Sequence, residues 1–225
     1  MAAIIFDLDD TLYPHEQYVH SGFCAVARHV DRFFGVPAAT SYATLRRARE
    51  LHRCGRELQA LCEVHGLDEA IVPDLLQVYR THRPQLWLSH DARVVLDQMR
   101  QHGWRLAVLT NGAPAAQALK IGALALHSLV DLVVYAEEHA RGGKPSRAPF
   151  AEALCRLEVQ ACDAVMVGDD PVNDIEGGRA AGLRTIHLPR AGGRRSLQAD
   201  ATAGALTDVP ALAAVLARPE VARAA

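Results

Sequence analysis

Aromatic residues make up only 5% of this 225-residue chain, and cysteine occurs five times without ever forming a C-x-x-C pair. That spacing is what a zinc site or a thiol-redox motif requires. An odd, scattered set (Cys24, Cys54, Cys62, Cys155, Cys162) predicts reduced thiols rather than a disulfide framework. No apolar run reaches membrane-spanning length, and residues 1–6 have neither the length nor the basic start of a secretory signal. An excess of one charge is missing too. Lys and Arg number 24 against 26 Asp and Glu, a formal net charge of −2, so neither nucleic acid nor an acidic membrane is an expected partner. A cytoplasmic protein is expected, with a monomer or weak homodimer as the default. What the chain has in quantity is apolar residues, 50% against 22% charged, enough to bury a full core.

Ala3-Ile4-Ile5-Phe6 is a continuous apolar run and reads as a buried strand. Further strands are expected at Leu106–Thr110, Leu132–Tyr135, Ala164–Val167 and Arg184–Leu188. Helical patterns fall between them: Val94, Val95 and Met99 ending at Gly103, then Pro114–Leu119, Ala148–Leu157, and Asp174–Ala181 ending at Gly182. Gly192-Gly193-Arg194-Arg195 reads as a loop. A short strand near Ala203–Leu206, a helix near Val209–Leu216 and a frayed Ala/Arg terminus complete the pattern. This alternation predicts an α/β fold, a parallel sheet covered on both faces, with ligands beyond the C-terminal strand ends.

Residues 14–88 follow a different rhythm. Val19, Phe23, Val26, Ala27, Val30 and Phe34 recur at helical spacing up to Gly35. A second helical pattern runs from Ser41 to about Cys62, and a third passes through Ile71, Val72, Leu75, Leu76 and Tyr79. No strand interrupts them. A helical insert over 14–88 is expected within a core formed by 1–13 and 89–225.

Four of the expected strands end in polar clusters. Asp7-Leu8-Asp9-Asp10-Thr11 follows the first; carboxylates crowded there call for a divalent cation or a retained proton, although an acidic turn or helix start has the same composition. Thr110-Asn111-Gly112 offers a hydroxyl, an amide and backbone N–H groups suited to a phosphate oxygen, or to an ordinary capped turn. Gly142-Gly143-Lys144-Pro145 carries a lysine that is either aimed inwards or a plain loop lysine. Gly168-Asp169-Asp170-Pro171-Val172-Asn173-Asp174 supplies hard oxygen ligands of the kind Mg²⁺ takes, or the caps of a helix. Each structural explanation suffices alone. One shared site accounts for all four lying at the ligand-binding edge of the sheet.

These pieces together resemble the haloacid dehalogenase-like (HAD) superfamily in its phosphatase branch. The match is carried by Asp7-Leu8-Asp9-Asp10-Thr11-Leu12, Leu109-Thr110-Asn111-Gly112, Gly143-Lys144-Pro145, and Gly168-Asp169-Asp170 with Asn173-Asp174-Ile175, in the family's order. The resemblance implies a Rossmann-like core with an α-helical cap and an Mg²⁺-dependent phosphatase. It makes Asp7 the nucleophile of an aspartyl-phosphate and Asp9 the general acid and base. Mg²⁺ would be held by the Asp7 carboxylate, the Asp9 carbonyl and Asp169, with Asp174 holding metal waters or Lys144 behind them. Thr110, Asn111 and Lys144 would bind the phosphoryl group. Two departures stand out: Ser146-Arg147 replaces the acidic residue that many relatives have after the Lys-Pro pair, and Asp170 is an additional carboxylate.

The expected substrate is a small-molecule phosphate monoester: a nucleotide, phosphoglycolate, flavin or sugar phosphate. The opening Asp-Leu-Asp-Asp-Thr-Leu-Tyr-Pro is similar to pyrimidine 5′-nucleotidase-like and flavin-mononucleotide phosphatase-like members, and phosphoglycolate phosphatase-like members share the architecture. Cap-side polar candidates are Tyr13, His15, Glu16, Arg46, Arg47, Arg49, Arg53 and Arg56, with His15 at the expected hinge. Three other functions stay open: a phosphomutase, a haloacid dehalogenase and a non-catalytic binding module. Asp9 argues against the dehalogenase, because a halide leaves without protonation.

Overall fold

Four consecutive fully buried apolar residues place β1 (Ala3–Phe6) inside a parallel sheet with strands on either side of it. The computed structural model describes residues 2–51, 55–138, 142–190, 193 and 195–217. After β1 come α1 (Glu16–Phe34), α2 (Ala38–Glu50), α3 (Glu57–His65) and α4 (Val72–Thr81). The chain continues through α5 (His90–Gln101), β2 (Arg105–Thr110), α6 (Pro114–Ala123), β3 (Leu132–Tyr135), α7 (Arg147–Leu157) and β4 (Ala164–Gly168). Then follow a π-helical turn (Pro171–Glu176), α8 (Gly177–Ala180), β5 (Arg184–His187), β6 (Ala201–Thr202) and α9 (Val209–Leu216). The chain divides into two compact units, Glu16–Leu86 and the remainder, Met1–His15 with Trp87–Ala225.

The larger unit is an α/β fold of Rossmann type. Its strands run in the order β3-β2-β1-β4-β5-β6, every neighbouring pair parallel. The chain therefore starts mid-sheet, builds outwards to β3, then returns and builds the other way. Such a reversal opens a crevice at the C-terminal strand ends, here between β1 and β4. Ile5, Leu109, Val134 and Met166 pack with Phe150, Ala153 and Leu157 of α7 in one layer of the core.

The strand expected near Ala203–Leu206 lies instead at Ala201–Thr202. Asp208 explains the shift: its carboxylate accepts the backbone N–H groups of Gly204 and Ala205 and draws that stretch into a turn. The short helix expected over Asp174–Ala181 starts earlier, at Pro171, because Asp170 caps it.

The smaller unit has a core of its own. Val19, Phe23, Val26 and Val30 form one face of α1 and bury against Leu45, Leu61, Cys62 and Leu75. The pattern expected from Ser41 to about Cys62 is two helices, α2 and α3, with Gly55 at φ +83° between them. Gly55 directly precedes Arg56, the N-cap of α3, whereas α2 has its C-cap at Leu51, with a negative φ. Arg53 and Cys54 lie outside the described residues, as do Gly192, Arg194 and the Ala/Arg terminus. Among the described residues, no helix is long and apolar enough to cross a membrane.

Candidate active site

Asp7 leaves β1 while its N–H still donates to the Val167 carbonyl at 2.9 Å, so the first carboxylate emerges beside the end of β4. Asp169 lies one residue past β4, and Thr110 is the last residue of β2. Parallel register alone therefore brings these side chains to one edge. Lys144 arrives from the loop before α7 and joins them. Its ammonium donates to Asp7 Oδ1 at 2.6 Å, Asp174 Oδ1 at 2.7 Å and the Leu109 carbonyl at 2.9 Å. These contacts use all three of its donors, and all three charged groups are buried.

The loops around Lys144 are tightly specified. The Asn111 side chain pairs with the Lys144 backbone at two points, accepting its N–H at 2.8 Å and donating to its carbonyl at 2.9 Å. A Cβ on Gly143 would come within 2.5 Å of Asn111 Oδ1, so this approach requires glycine. The Lys144-Pro145 peptide is cis. Ser146, one of the two departures from the family pattern, caps α7. Asp174 Oδ2 accepts the Asp170 N–H at 3.0 Å. Asp170, the other departure, takes a structural role: its carboxylate accepts the Val172 and Asn173 N–H groups, which outweigh its partial burial and lower its pKa.

Burial pushes Asp7 up to about 7 against the pull of Lys144, and Asp174 and Asp9 add to the rise. Burial likewise raises Asp169 and Asp174. Lys144 would be lowered by burial, but the attraction of two carboxylates raises it, so it stays an ammonium.

Asp9 is held differently. Burial would raise its pKa, but Lys120, His15 and Tyr13 together bring it below the usual carboxylate value. Lys120 Nζ sits 2.8 Å from both Asp9 oxygens, and the Tyr13 hydroxyl donates to Oδ1 at 2.5 Å. Gln117 Nε2 donates to Asp9 Oδ2 at 3.1 Å, to Thr110 Oγ1 at 2.9 Å and to the Asn111 carbonyl.

Sequence reasoning missed Gln117 and Lys120, although a signal was present. With Ile121 and Leu124 they occupy the i, i+3, i+4, i+7 stripe that faces inwards on α6. A lysine in such a stripe has to be paired. Two residues at the C-terminal end of β5 were missed as well. His187 Nδ1 accepts the Ser196 N–H at 3.1 Å, which leaves the proton on Nε2 to donate to the Asp169 carbonyl at 3.0 Å. Arg190 bridges Asp169 and Asp10, the latter at 2.9 Å. His187 ends β5 and Arg190 lies three residues past it, so both belong to a strand end, the same signal that marked the other clusters.

The candidates near the insert are placed as follows. Tyr13, expected on the cap side, is buried in the larger unit with its hydroxyl on Asp9. His15 ends that segment of the larger unit, and its N–H donates to Asp10 Oδ1 at 2.8 Å. In the smaller unit, Arg46 pairs with Glu50, and Arg49 pairs with Glu16 and Glu57. Arg47 and Arg56 are exposed.

The donor set suits a hard divalent cation. Carboxylate oxygens of Asp7, Asp169 and Asp174 lie within 4.8 Å of one another, all buried. Three carboxylates face two cations, the Lys144 ammonium and the Arg190 guanidinium; burial raises Asp7, Asp169 and Asp174, and neighbouring carboxylates add to each rise. Asp174 accepts an N–H donor on each oxygen; Asp7 accepts the Lys144 ammonium on Oδ1 and the Thr11 hydroxyl at 3.3 Å on Oδ2, and Asp169 accepts Arg190 on Oδ2. Geometrically, the edge offers a buried carboxylate paired with an ammonium, an oxygen site for a cation, and a separate carboxylate tied to the Thr110 loop.

The profile of the haloacid dehalogenase-like hydrolases matches residues 1–182. The chain is 32% identical to a ribulose-1,5-bisphosphate 5-phosphatase of Halopiger xanaduensis, over 82% of this chain and 83% of that one. It is 30% identical to a glyceraldehyde 3-phosphate phosphatase of Methanopyrus kandleri, over 84% of each. Among solved structures, a 2-haloacid dehalogenase from Pseudomonas syringae superposes with a TM-score of 0.65 at 27% identity, covering 96% of this chain and 99% of that one. The Rossmann-type sheet, the four strand-end clusters and these matches agree, and the chain belongs to the haloacid dehalogenase-like hydrolases.

Proposed function

We propose that this protein is an Mg²⁺-dependent phosphatase that hydrolyses small-molecule phosphate monoesters through an aspartyl-phosphate on Asp7. The observation that carries the reading is the Lys144 ammonium at 2.6 Å from Asp7 and 2.7 Å from Asp174. A carboxylate nucleophile meets an anionic substrate only if charge is neutralised between them. Asp7 and Asp169 with the Asp9 carbonyl would hold Mg²⁺, and a cation there would supply the remaining neutralisation of the phosphoryl group. Thr110 and the Asn111 backbone bind the phosphoryl oxygens, and Lys144 joins them by turning the N–H it gives Asp7 towards the phosphoryl group as Asp7 attacks.

In the first step the bound phosphate dianion offsets the pull of Lys120, so Asp9 takes up a proton from solvent; an Asp7 oxygen attacks phosphorus, the ester P–O bond breaks, and the Asp9 carboxyl protonates the leaving alkoxide. In the second, the Asp9 carboxylate takes a proton from water as it attacks phosphorus. The P–O bond to Asp7 breaks and inorganic phosphate is released. A halide leaves without a proton, so a carboxylate held as Asp9 is has no task in dehalogenation. Of the substrate classes expected, sugar phosphates and related short-chain phosphates have the support of the two relatives aligned over four-fifths of the chain.

The test is phosphate release from p-nitrophenyl phosphate and a panel of alkyl monoesters. Turnover should require Mg²⁺, stop with EDTA, and fall by at least about a thousandfold in Asp7→Asn, the scale of losing a nucleophile. Absence of release across the panel, or near-normal turnover in Asp7→Asn, overturns the proposal.

A further inference from the structure

Gln117 and Lys120 stand one turn apart on α6, so both side chains leave the same face. Both are buried, at 3% and 5% exposure. The Gln117 amide has only one workable orientation. The Asp9 carboxylate and the Asn111 carbonyl are acceptors, so Nε2 must face them, and it also reaches Thr110 Oγ1. This orientation leaves Oε1 buried without a hydrogen-bond partner. Such a group costs stability, and that cost is accepted here to keep the nitrogen on the three acceptors. Lys120 contacts both Asp9 oxygens at equal distance, 2.8 Å. A cation centred on both oxygens fixes the position of the carboxylate, and Gln117 on Oδ2 with Tyr13 on Oδ1 sets its rotation. Tyr13 approaches Oδ1 from the segment after β1.

We infer that Gln117 and Lys120 are positioning residues: together they lock the Asp9 carboxylate to the Thr110-Asn111 loop, so the group that handles the proton and the loop that holds the phosphoryl group keep one spacing. This rests on the proposed role of Asp9. The proton still travels from the Asp9 carboxyl to the leaving oxygen and later from water to the Asp9 carboxylate; neither Gln117 nor Lys120 gains or loses one. The competing explanation is that Lys120 only balances a half-buried charge, a stability device with no bearing on proton transfer.

The two explanations diverge when the leaving group is varied. p-Nitrophenolate departs without protonation, whereas an alkoxide requires it. The experiment compares wild type, Lys120→Met, Lys120→Arg, Gln117→Leu, Asp9→Asn and the Lys120→Met/Asp9→Asn double variant. Steady-state turnover is measured on the alkyl monoester hydrolysed fastest in the panel, and the pre-steady-state burst of p-nitrophenolate reports the first step with the aryl ester. Lys120→Met should lower kcat on the alkyl ester by about a hundredfold, the scale of a lost general acid, with KM within about threefold, while the burst rate falls by less than about tenfold. Lys120→Arg should restore most of the alkyl turnover. In the double variant the burst should be no slower than in Asp9→Asn alone, because Lys120 acts through Asp9.

Equal losses on both esters, or losses that multiply in the double variant, overturn the inference. Should Lys120→Met fail to fold, Gln117→Leu, which keeps the cation, carries the same comparison: a selective loss on the alkyl ester supports positioning, and wild-type turnover on both esters overturns it. Full alkyl turnover in Asp9→Asn would instead defeat the proposed role of Asp9 itself, an outcome distinct from loss in Asp9→Asn with Lys120→Met and Gln117→Leu unaffected.

Discussion

Gly168 and Lys144 show how closely single residues are constrained at this sheet edge. A Cβ on Gly168 would fall inside the Asp174 carboxylate, whose two oxygens are engaged by Lys144 and the Asp170 N–H. Asp174 has no relaxed place to retreat to. Gly168→Ala should therefore lower stability by about 1–3 kcal/mol, the usual cost of overpacking, read as a lower urea midpoint with an unchanged m-value. A midpoint equal to wild type would mean that Asp174 swings aside freely. Cysteine chemistry supplies a second residue-scale outcome. Burial, with Glu69 and Asp68 adding to it, raises the Cys62 thiol, so at neutral pH the reactive thiolate is scarce there. Cys155 and Cys162 are exposed. Iodoacetamide at pH 7.5 should label Cys155 and Cys162 first and reach Cys62 only as the chain unfolds, a sequence that peptide mass spectrometry resolves. At this scale Asp7, Thr110, Lys144 and Asp169 were legible because each directly follows an apolar strand or a glycine pair. Asp170 was ambiguous, since a capping carboxylate and a metal-binding one are written with the same letter.

Elements explain why other parts of the edge were hidden. Strands β1, β2 and β4 were readable because four or five buried residues in a row have few alternatives in a chain of this composition, and parallel pairing then carries their ends to one side. Helix α6 was readable as a helix but not as a contributor. Its inward stripe mixes Gln117 and Lys120 with Ile121, and only the pairing of Lys120 with Asp9 from another element gives that mixture its meaning. The break between α2 and α3 was obscured by Arg- and Glu-rich composition that continues through it; Gly55, with its positive φ, stands just before α3. In α7 the cap is local: Ser146 accepts from the Ala148 N–H. Ser146→Ala should cost about 1 kcal/mol, lowering the melting temperature by a few degrees, and Ser146→Asp should recover it. A larger loss in Ser146→Ala would indicate that the residue does more than cap.

At the scale of the whole molecule, two units with separate cores imply two separable responses. The insert core gathers Val19, Phe23, Leu45, Leu61 and Leu75, while the sheet core gathers Ile5, Leu109, Phe150 and Met166. Leu75 is fully buried, and Leu75→Ala removes it from contact with α1 and α3 neighbours at a cost of about 2–5 kcal/mol. That energy is lost within the insert. Amides of α1 to α4 should then exchange with solvent faster, by the full factor the destabilisation allows, while those of β1, β2 and β4 keep wild-type protection. Mg²⁺ gives the complementary experiment. A cation held by Asp7 and Asp169 binds only the folded larger unit, so it should raise the protection of β1 and β4 amides and the melting temperature with increasing concentration. Asp169→Asn should erase that response while leaving α1 to α4 as in wild type. Protection rising equally in both units would show that they unfold as one body. A response to Mg²⁺ that persists in Asp169→Asn would remove Asp169 from the set of metal ligands, and the surplus charge at the sheet edge would then need another partner.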